Sequence, residues 1–331
     1  MHENTAALAP LGWNTSRQVE FDALGAGLVP ARVGRADRGG ALVIGPSGSF
    51  HVEGAGLITG DWVAIAGGRP VAVLARRTLL ERRAAGRADA AQAIAANVDV
   101  VAIVQGLDRP LRERRLHRAL ALAWDAGATP VVVLTKADLD DQAAARGLAL
   151  EAALGVHAHV VSVRTGDGLG PVAALAAPDR TLVLIGESGA GKSSLVNALV
   201  GTEALAIGGV RTGDAKGRHT TTARHLVVLP GGGCLIDTPG VRELGLWTSE
   251  EGVAATFSDI TALAAEHDGE PGCAVERAVE EGLLDAARLA SHRDLQRETA
   301  ALALRADERE WRAHGRRGSR LIRRALREKR R

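Results

Sequence analysis

A chain of 331 residues, 46% hydrophobic and 24% charged, is long enough to form two or three domains with sizeable cores. Two cysteines exclude a disulfide framework, and no stretch reads as a signal peptide or membrane span, so a reducing cytoplasm is the expected location. The formal charge of +2 is unevenly spread: Arg312 to Arg331 holds ten Arg or Lys against Glu328, a +9 tail that leaves −7 on the rest of the chain.

Residues 1–28 are weakly patterned and rich in Ala, Gly and Leu, and read as a loosely ordered lead-in. From Val29 to Leu74, short apolar runs alternate with Gly and Pro punctuation, which predicts a small OB-like β-barrel over 29–85. Arg76 to Arg87 is a charged stretch leading into the next domain. From Asn97 the rhythm changes to strands alternating with helical stretches. Strands are predicted at Val98 to Val104, Val131 to Leu134, His159 to Val163, Thr181 to Ile185, Leu226 to Leu229 and Cys234 to Ile236. Helices are predicted at Leu111 to Ala126, Asp141 to Leu154 and Lys192 to Val200. Near-continuous Val, Leu and Ile strands between helices imply a mostly parallel sheet covered on both faces, over 90–248. Residues 249–331 carry no strand signal and read as helices ending in the basic tail.

The strand at Thr181 runs into Gly186-Glu187-Ser188-Gly189-Ala190-Gly191-Lys192-Ser193, followed by Ser194 and a helical pattern. This is the strand, glycine loop, helix context in which backbone N–H groups cradle phosphates. There Lys192 reaches the β- and γ-phosphates and the Ser193 hydroxyl takes Mg²⁺. Asp237-Thr238-Pro239-Gly240 follows another strand, with Asp237 on the Mg²⁺ side and the Gly240 N–H toward the γ-phosphate. Between them, Gly217-Arg218-His219-Thr220-Thr221-Thr222 is a candidate switch loop whose threonine completes the metal shell. Thr221 is the favoured residue and Thr222 the second. Val241 stands just after the Asp237 motif, where a water-positioning Gln would be expected, so intrinsic hydrolysis should be slow; His219 is the candidate for orienting the water.

Thr135-Lys136-Ala137-Asp138 ends the Val131 strand at the edge where ligands bind in open α/β sheets. The Asp138 carboxylate offers two acceptors spaced for guanine N1–H and its amino group, which adenine cannot match. Lys136 can lie along the base, and the Thr135 hydroxyl can tie this loop to the phosphate loop. The next strand ends at Ser162-Val163-Arg164-Thr165-Gly166, whose backbone is placed to support the guanine oxygen. The base reader thus precedes the phosphate loop, the reverse of an ordinary GTPase and the mark of a circular permutation.

This order resembles the small-subunit-dependent RsgA (YjeQ/YloQ) GTPase family. The resemblance also rests on the Gly217 to Thr222 loop, Ala96-Asn97-Val98-Asp99, Gly60-Asp61-Trp62-Val63 and Glu270-Pro271-Gly272-Cys273. It implies a multidomain α/β chain: an N-terminal OB-like barrel, a circularly permuted P-loop GTPase domain and an α-helical C-terminal domain. It further implies GTP hydrolysis stimulated by the 30S subunit late in its maturation, with GTP/GDP and Mg²⁺ bound and 16S rRNA contacted by a monomer. The tail suits phosphate contacts, whereas the barrel's few aromatics, Phe50, His51 and Trp62, favour electrostatic and shape recognition over base stacking. Of the family's C-x4-C-x-H-x5-C zinc knuckle only His267 and Cys273 remain, too few for a structural zinc, unless carboxylates such as Glu266 or Asp268 complete a weak site. Two other readings fit the motifs: a GTPase with a non-ribosomal client, and an RNA-binding module with a vestigial nucleotide site. Intact Lys192, Ser193, Asp237 and Asp138 argue against the second of these.

Overall fold

The computed structural model describes residues 5–83, 91–201, 224–237, 249–266 and 273–304. Five antiparallel strands open the main body: β1 (Val29–Ala36), β2 (Gly40–Gly45), β3 (Gly48–Glu53), β4 (Trp62–Ala66) and β5 (Arg69–Val73). Their order is β3-β2-β1-β4-β5, a curled sheet with β3 and β5 as its edges. Alternation along these strands sends Ala31, Val33, Val43, Val52, Val63 and Ile65 into one small core. Gly54, just after β3, lies against β5, where an added Cβ would come 3.0 Å from the Pro70 ring, so the two edges nearly meet.

The first residues are not a loose lead-in. A 3₁₀ turn (Thr5–Leu11) and helix α1 (Thr15–Asp22) pack on the half-barrel, burying Leu8, Leu11, Trp13 and Phe21. Asn14 caps α1 by accepting the Arg17 N–H (3.1 Å), and the Trp13 ring meets Phe21 at 5.6 Å and Trp62 at 4.9 Å. Sequence periodicity misses this segment because four scattered apolar residues and a buried arginine hold it, not an amphipathic stripe. Trp62 is only 2% exposed, which removes it from any stacking surface. The charged stretch from Arg76 also has structure: β6 (Leu79–Arg83) pairs antiparallel with β7 (Ala91–Ala96), a ribbon between the two main sheets.

The second sheet has six strands: β8 (Val100–Gly106), β9 (Thr129–Thr135), β10 (Ala158–Val160), β11 (Thr181–Gly186), β12 (His225–Val228) and β13 (Cys234–Asp237). Their order is β10-β9-β8-β11-β13-β12, all parallel except β12. Helices α2 (Glu113–Asp125), α3 (Ala143–Leu154), α4 (Leu169–Ala174) and α5 (Lys192–Val200) cover the sheet, which buries every residue of β8. The predicted strand and helix positions agree with these within a few residues. The C-terminal part is helical: α6 (Glu250–Thr256), α7 (Ser258–Glu266), α8 (Ala274–Glu280) and a further helix over 286–304. Its core includes Ala121 of α2 beside Val253, Phe257, Ile260 and Leu295, so α2 belongs to both bodies.

One side chain joins the half-barrel to the sheet. Arg32 on β1 is 1% exposed, and its guanidinium donates to Thr181 Oγ1 (2.8 Å), Asn97 O (3.2 Å), Gly60 O (3.4 Å) and Leu11 O, with Trp62 at 5.3 Å on its face. Asn97, with φ +55°, adds a second tie: its Oδ1 accepts from Arg17 (2.6 Å) and the Arg77 N–H (3.1 Å), and its Nδ2 donates to Gly60 O (3.0 Å). The Asn97-Val98-Asp99 motif therefore serves assembly, since Asp99 Oδ2 accepts the Thr181 N–H that opens β11 (2.7 Å). Replacing Arg32 by Leu leaves several buried acceptors unsatisfied at about 1–3 kcal/mol each, so the urea-unfolding midpoint should fall by the equivalent of about 3 kcal/mol or more. A loss under about 1 kcal/mol would show that water replaces the guanidinium.

Candidate functional site

The phosphate loop is shaped by its glycines. Gly186 ends β11 at φ +148°, where a Cβ would sit 2.3 Å from Val104 O, so only Gly lets the loop leave the sheet here. Gly191 precedes α5 at φ +91° and allows the loop to lie against Thr135. Lys192 Nζ donates to Gly186 O (2.6 Å) and Glu187 O (2.5 Å), holding the ammonium inside the loop it serves. Ser193 and Ser194 follow in the first turn of α5, whose N-terminal N–H groups and dipole favour a phosphate.

The base reader is stitched to that loop by two bonds. The buried Thr135 hydroxyl lies 2.5 Å from Ala190 O, its nearer acceptor, and 3.2 Å from Gln105 O. Lys136, in the left-handed region at φ +60°, sends Nζ to Gly189 O (2.7 Å) and to Asp108 Oδ2 (2.7 Å). Asp108 was not foreseen from the sequence; a Cβ on Gly106 would come 2.5 Å from Asp108 Oδ1, so glycine at 106 lets Asp108 fold back under Lys136. The Arg109 and Lys136 donors beside it hold the Asp108 carboxyl down to about 2.

Asp138 is positioned from the next strand. Ser162, 1% exposed, donates from Oγ to Asp138 Oδ1 (2.7 Å), and Arg164 Nη1 stands 3.4 Å from Oδ2. The Ser162 hydroxyl, then the backbone N–H of Asp138 itself and the Arg164 charge, keep this carboxyl below its ordinary range. The Ala137 N–H donates to Val161 O (3.2 Å), fixing the turn to β10's continuation. Thr135, Lys136, Asp138, Leu139, Val163, Arg164, Gly191 and Ser194 line a pocket of about 280 Å³ beside the phosphate loop. Carboxylate at one end and helix N-terminus at the other give a purine nucleotide a defined orientation.

Asp237 ends β13, which lies parallel to β11 with Ile236 opposite Val183, and Ser193 stands in the first turn of α5, after the loop that leaves β11. Their side chains carry hard oxygen donors of the kind Mg²⁺ takes when phosphates and waters complete its shell. His219, Thr221, Gly240 and His267 lie outside the described residues. Cys273 is buried at the start of α8, and among the described residues no cluster of three or more His, Cys, Asp or Glu offers a metal site. Sequence reasoning also missed Arg109, Arg112 and Arg115, which surround Glu187 of the phosphate loop. Five arginines within residues 109–118 were the available signal.

Two variants test the base pocket. Asp138→Ala removes both guanine acceptors and should weaken GDP binding about 100-fold or more. Because Ser162 holds Asp138 ionised below the usual carboxylate range, wild-type GDP affinity should stay level as pH falls into that range; it should drop only lower, where protonation costs an acceptor. In Ser162→Ala the drop should move to higher pH, as read by calorimetric titration; an unmoved profile removes this role from Ser162.

The model of the RsgA GTPase family matches residues 73–247. A small ribosomal subunit biogenesis GTPase RsgA of Streptomyces avermitilis is 42% identical across 94% of this chain and 92% of its own length. Its counterpart in Xanthomonas oryzae pv. oryzae (strain MAFF 311018) is 48% identical across 74% of this chain and 70% of its own. Among solved structures, YjeQ from Thermotoga maritima covers 82% of this chain and 99% of its own at a TM-score of 0.62 and 23% identity. YloQ, described as a circularly permuted GTPase, covers 83% of this chain and 96% of its own at the same TM-score and identity, and both likenesses speak for the fold. A base reader preceding the phosphate loop on one sheet, together with these matches, places the chain in the RsgA GTPase family, as a circularly permuted GTPase that hydrolyses GTP.

Proposed function

We propose that the protein binds the 30S ribosomal subunit and assists its late maturation, hydrolysing GTP to GDP and phosphate at a rate the subunit stimulates. The reading is supported by a Thr135 to Asp138 loop bonded to the glycine loop and to Ser162, on a chain aligned over nearly its whole length with relatives named for small ribosomal subunit biogenesis. Contacts with 16S rRNA follow from the +9 tail, which releases counterions on meeting phosphates. With Trp62 buried, the half-barrel contributes shape and charge rather than stacking. We place the protein in the cytoplasm, where ribosomal subunits are, acting as a monomer; no helix among the described residues is long and apolar enough to cross a membrane.

In this reading Gly186 to Ser194 hold the phosphates, Thr135, Lys136, Ala137, Asp138 and Ser162 hold the base, and Ser193 and Asp237 ligate Mg²⁺ with Thr221. Mg²⁺ held there would supply charge neutralisation for the transferred phosphoryl group. Lys192 and the Gly240 N–H orient the γ-phosphate, and His219 positions the water when the subunit is bound. GTP turnover with and without purified 30S subunits tests the reading: stimulation of about tenfold or more is expected. His219→Ala should lower the stimulated rate about 100-fold while leaving GTP affinity nearly unchanged. Turnover indifferent to 30S subunits overturns the ribosomal assignment; an unaffected His219→Ala rate overturns only the role of that histidine.

A further inference from the structure

Glu187 places a carboxylate inside a loop whose task is to bind three phosphates. Its side chain is only 14% exposed, and three guanidiniums gather on it: Arg115 directly, Arg112 at 3.2 Å and Arg109 at 3.8 Å. Arg112 and Arg115 are three residues apart at the start of α2, which puts them on one face of the helix toward the loop. Arg109 also reaches the loop, with Nη1 3.5 Å from Ser188 O, and a Cβ added to Gly189 would come 3.2 Å from its Nη2. The Glu187 backbone is held separately, by Lys192 on its carbonyl. Main chain and side chain of this residue are therefore fixed by different groups, one facing the phosphates and one facing α2.

We propose that Arg112 and Arg115 are positioning residues for GTP binding that act through Glu187. They neutralise its carboxylate and keep it on the α2 side of the loop, so that the lip of the phosphate site is positive despite an acidic residue within it. A like charge left unpaired so near a triphosphate would oppose binding at several ångströms' range, more for GTP than for GDP. The inference concerns nucleotide binding alone, so it stands or falls independently of the ribosomal reading.

The test is titration of the full-length protein with GDP and with a non-hydrolysable GTP analogue, in the wild type, R112Q/R115Q, E187Q and the triple variant. R112Q/R115Q should weaken the GTP analogue about tenfold and GDP less, because the bared carboxylate faces one phosphate fewer. Adding E187Q should recover most of the loss, a rescue that a purely structural role of the arginines would not give. E187Q alone, which removes the carboxylate charge and keeps both arginines, should bind at least as tightly as wild type and reports even if the double variant folds poorly. Binding by R112Q/R115Q within about twofold of wild type, a triple variant as weak as the double, or weakened binding in E187Q would each overturn the proposal.

Discussion

The architecture depends on one charge that water does not reach. Arg32 leaves β1 on the face opposite the small barrel core and ends at the foot of β11, among acceptors from the N-terminal 3₁₀ turn, the half-barrel and the sheet. A buried guanidinium is tolerable only when its donors are satisfied and its geometry fixed. Burial lowers its pKa, and Cys234, Asp99 and Asp61 oppose that shift. Because the acceptors come from three segments, each must be in place before the others are stable. Asp61 repeats the logic in miniature: fully buried, it takes two bonds from Arg76 (2.7 and 2.9 Å) and one from the Ile58 N–H (2.8 Å). The half-barrel is thus docked by directional polar contacts, which fix its orientation more sharply than apolar contact alone.

Helix α2 has the corresponding position on the other side. At its start it meets the phosphate loop through Glu187; along its flank Arg114 pairs with Asp294 (2.6 Å) and Arg118 with Glu298. At its end Asp125 accepts the Ser249 N–H (2.6 Å) and hydroxyl (2.5 Å), and Gly252 gives α6 room to touch Ala121, where a Cβ would come 2.6 Å from the Ala121 carbonyl. His117 is packed between them against Phe257 at 4.8 Å, and burial, then the nearby Arg288, lowers it to about 4, so it is neutral at physiological pH. The C-terminal helices are therefore fastened to the GTPase sheet by close packing and ion pairs. Cys273 contributes as a buried apolar residue of that packing.

What could be read in advance follows from how each part is held. The strands of the parallel sheet are continuous Val, Leu and Ile runs because both faces are buried, and such runs stand out without any knowledge of tertiary contacts. The nucleotide motifs are legible because their chemistry needs particular residues in a row: Gly186 and Gly191 for close backbone approach, and Asp138 for paired acceptors. Illegible were the elements stabilised from a distance. Helix α1 depends on Trp13, Phe21 and Arg17 meeting residues up to 80 positions away. The ribbon of β6 and β7 looks like a charged linker, although Leu80 and Ile94 are wholly buried. Asp108 and the arginines after it look like a solvated run until the fold brings them to the phosphate loop.

Permutation gives this placement a mechanical meaning. The connection that would otherwise lead from β13 toward the base reader leads instead to α6, and the base reader's strand follows α2. Asp237 is fixed in the sheet beside β11, and Ser249 is fixed on Asp125 at the end of α2. Protein interiors are close-packed, resist compression and transmit strain. Helix α2, of 13 residues, has ion pairs at its start and flank and a capped partner at its end. Any rearrangement of the phosphate loop that moves Glu187 must move the start of α2 or break its arginine pairs, and either event alters the surface on which the C-terminal helices are seated.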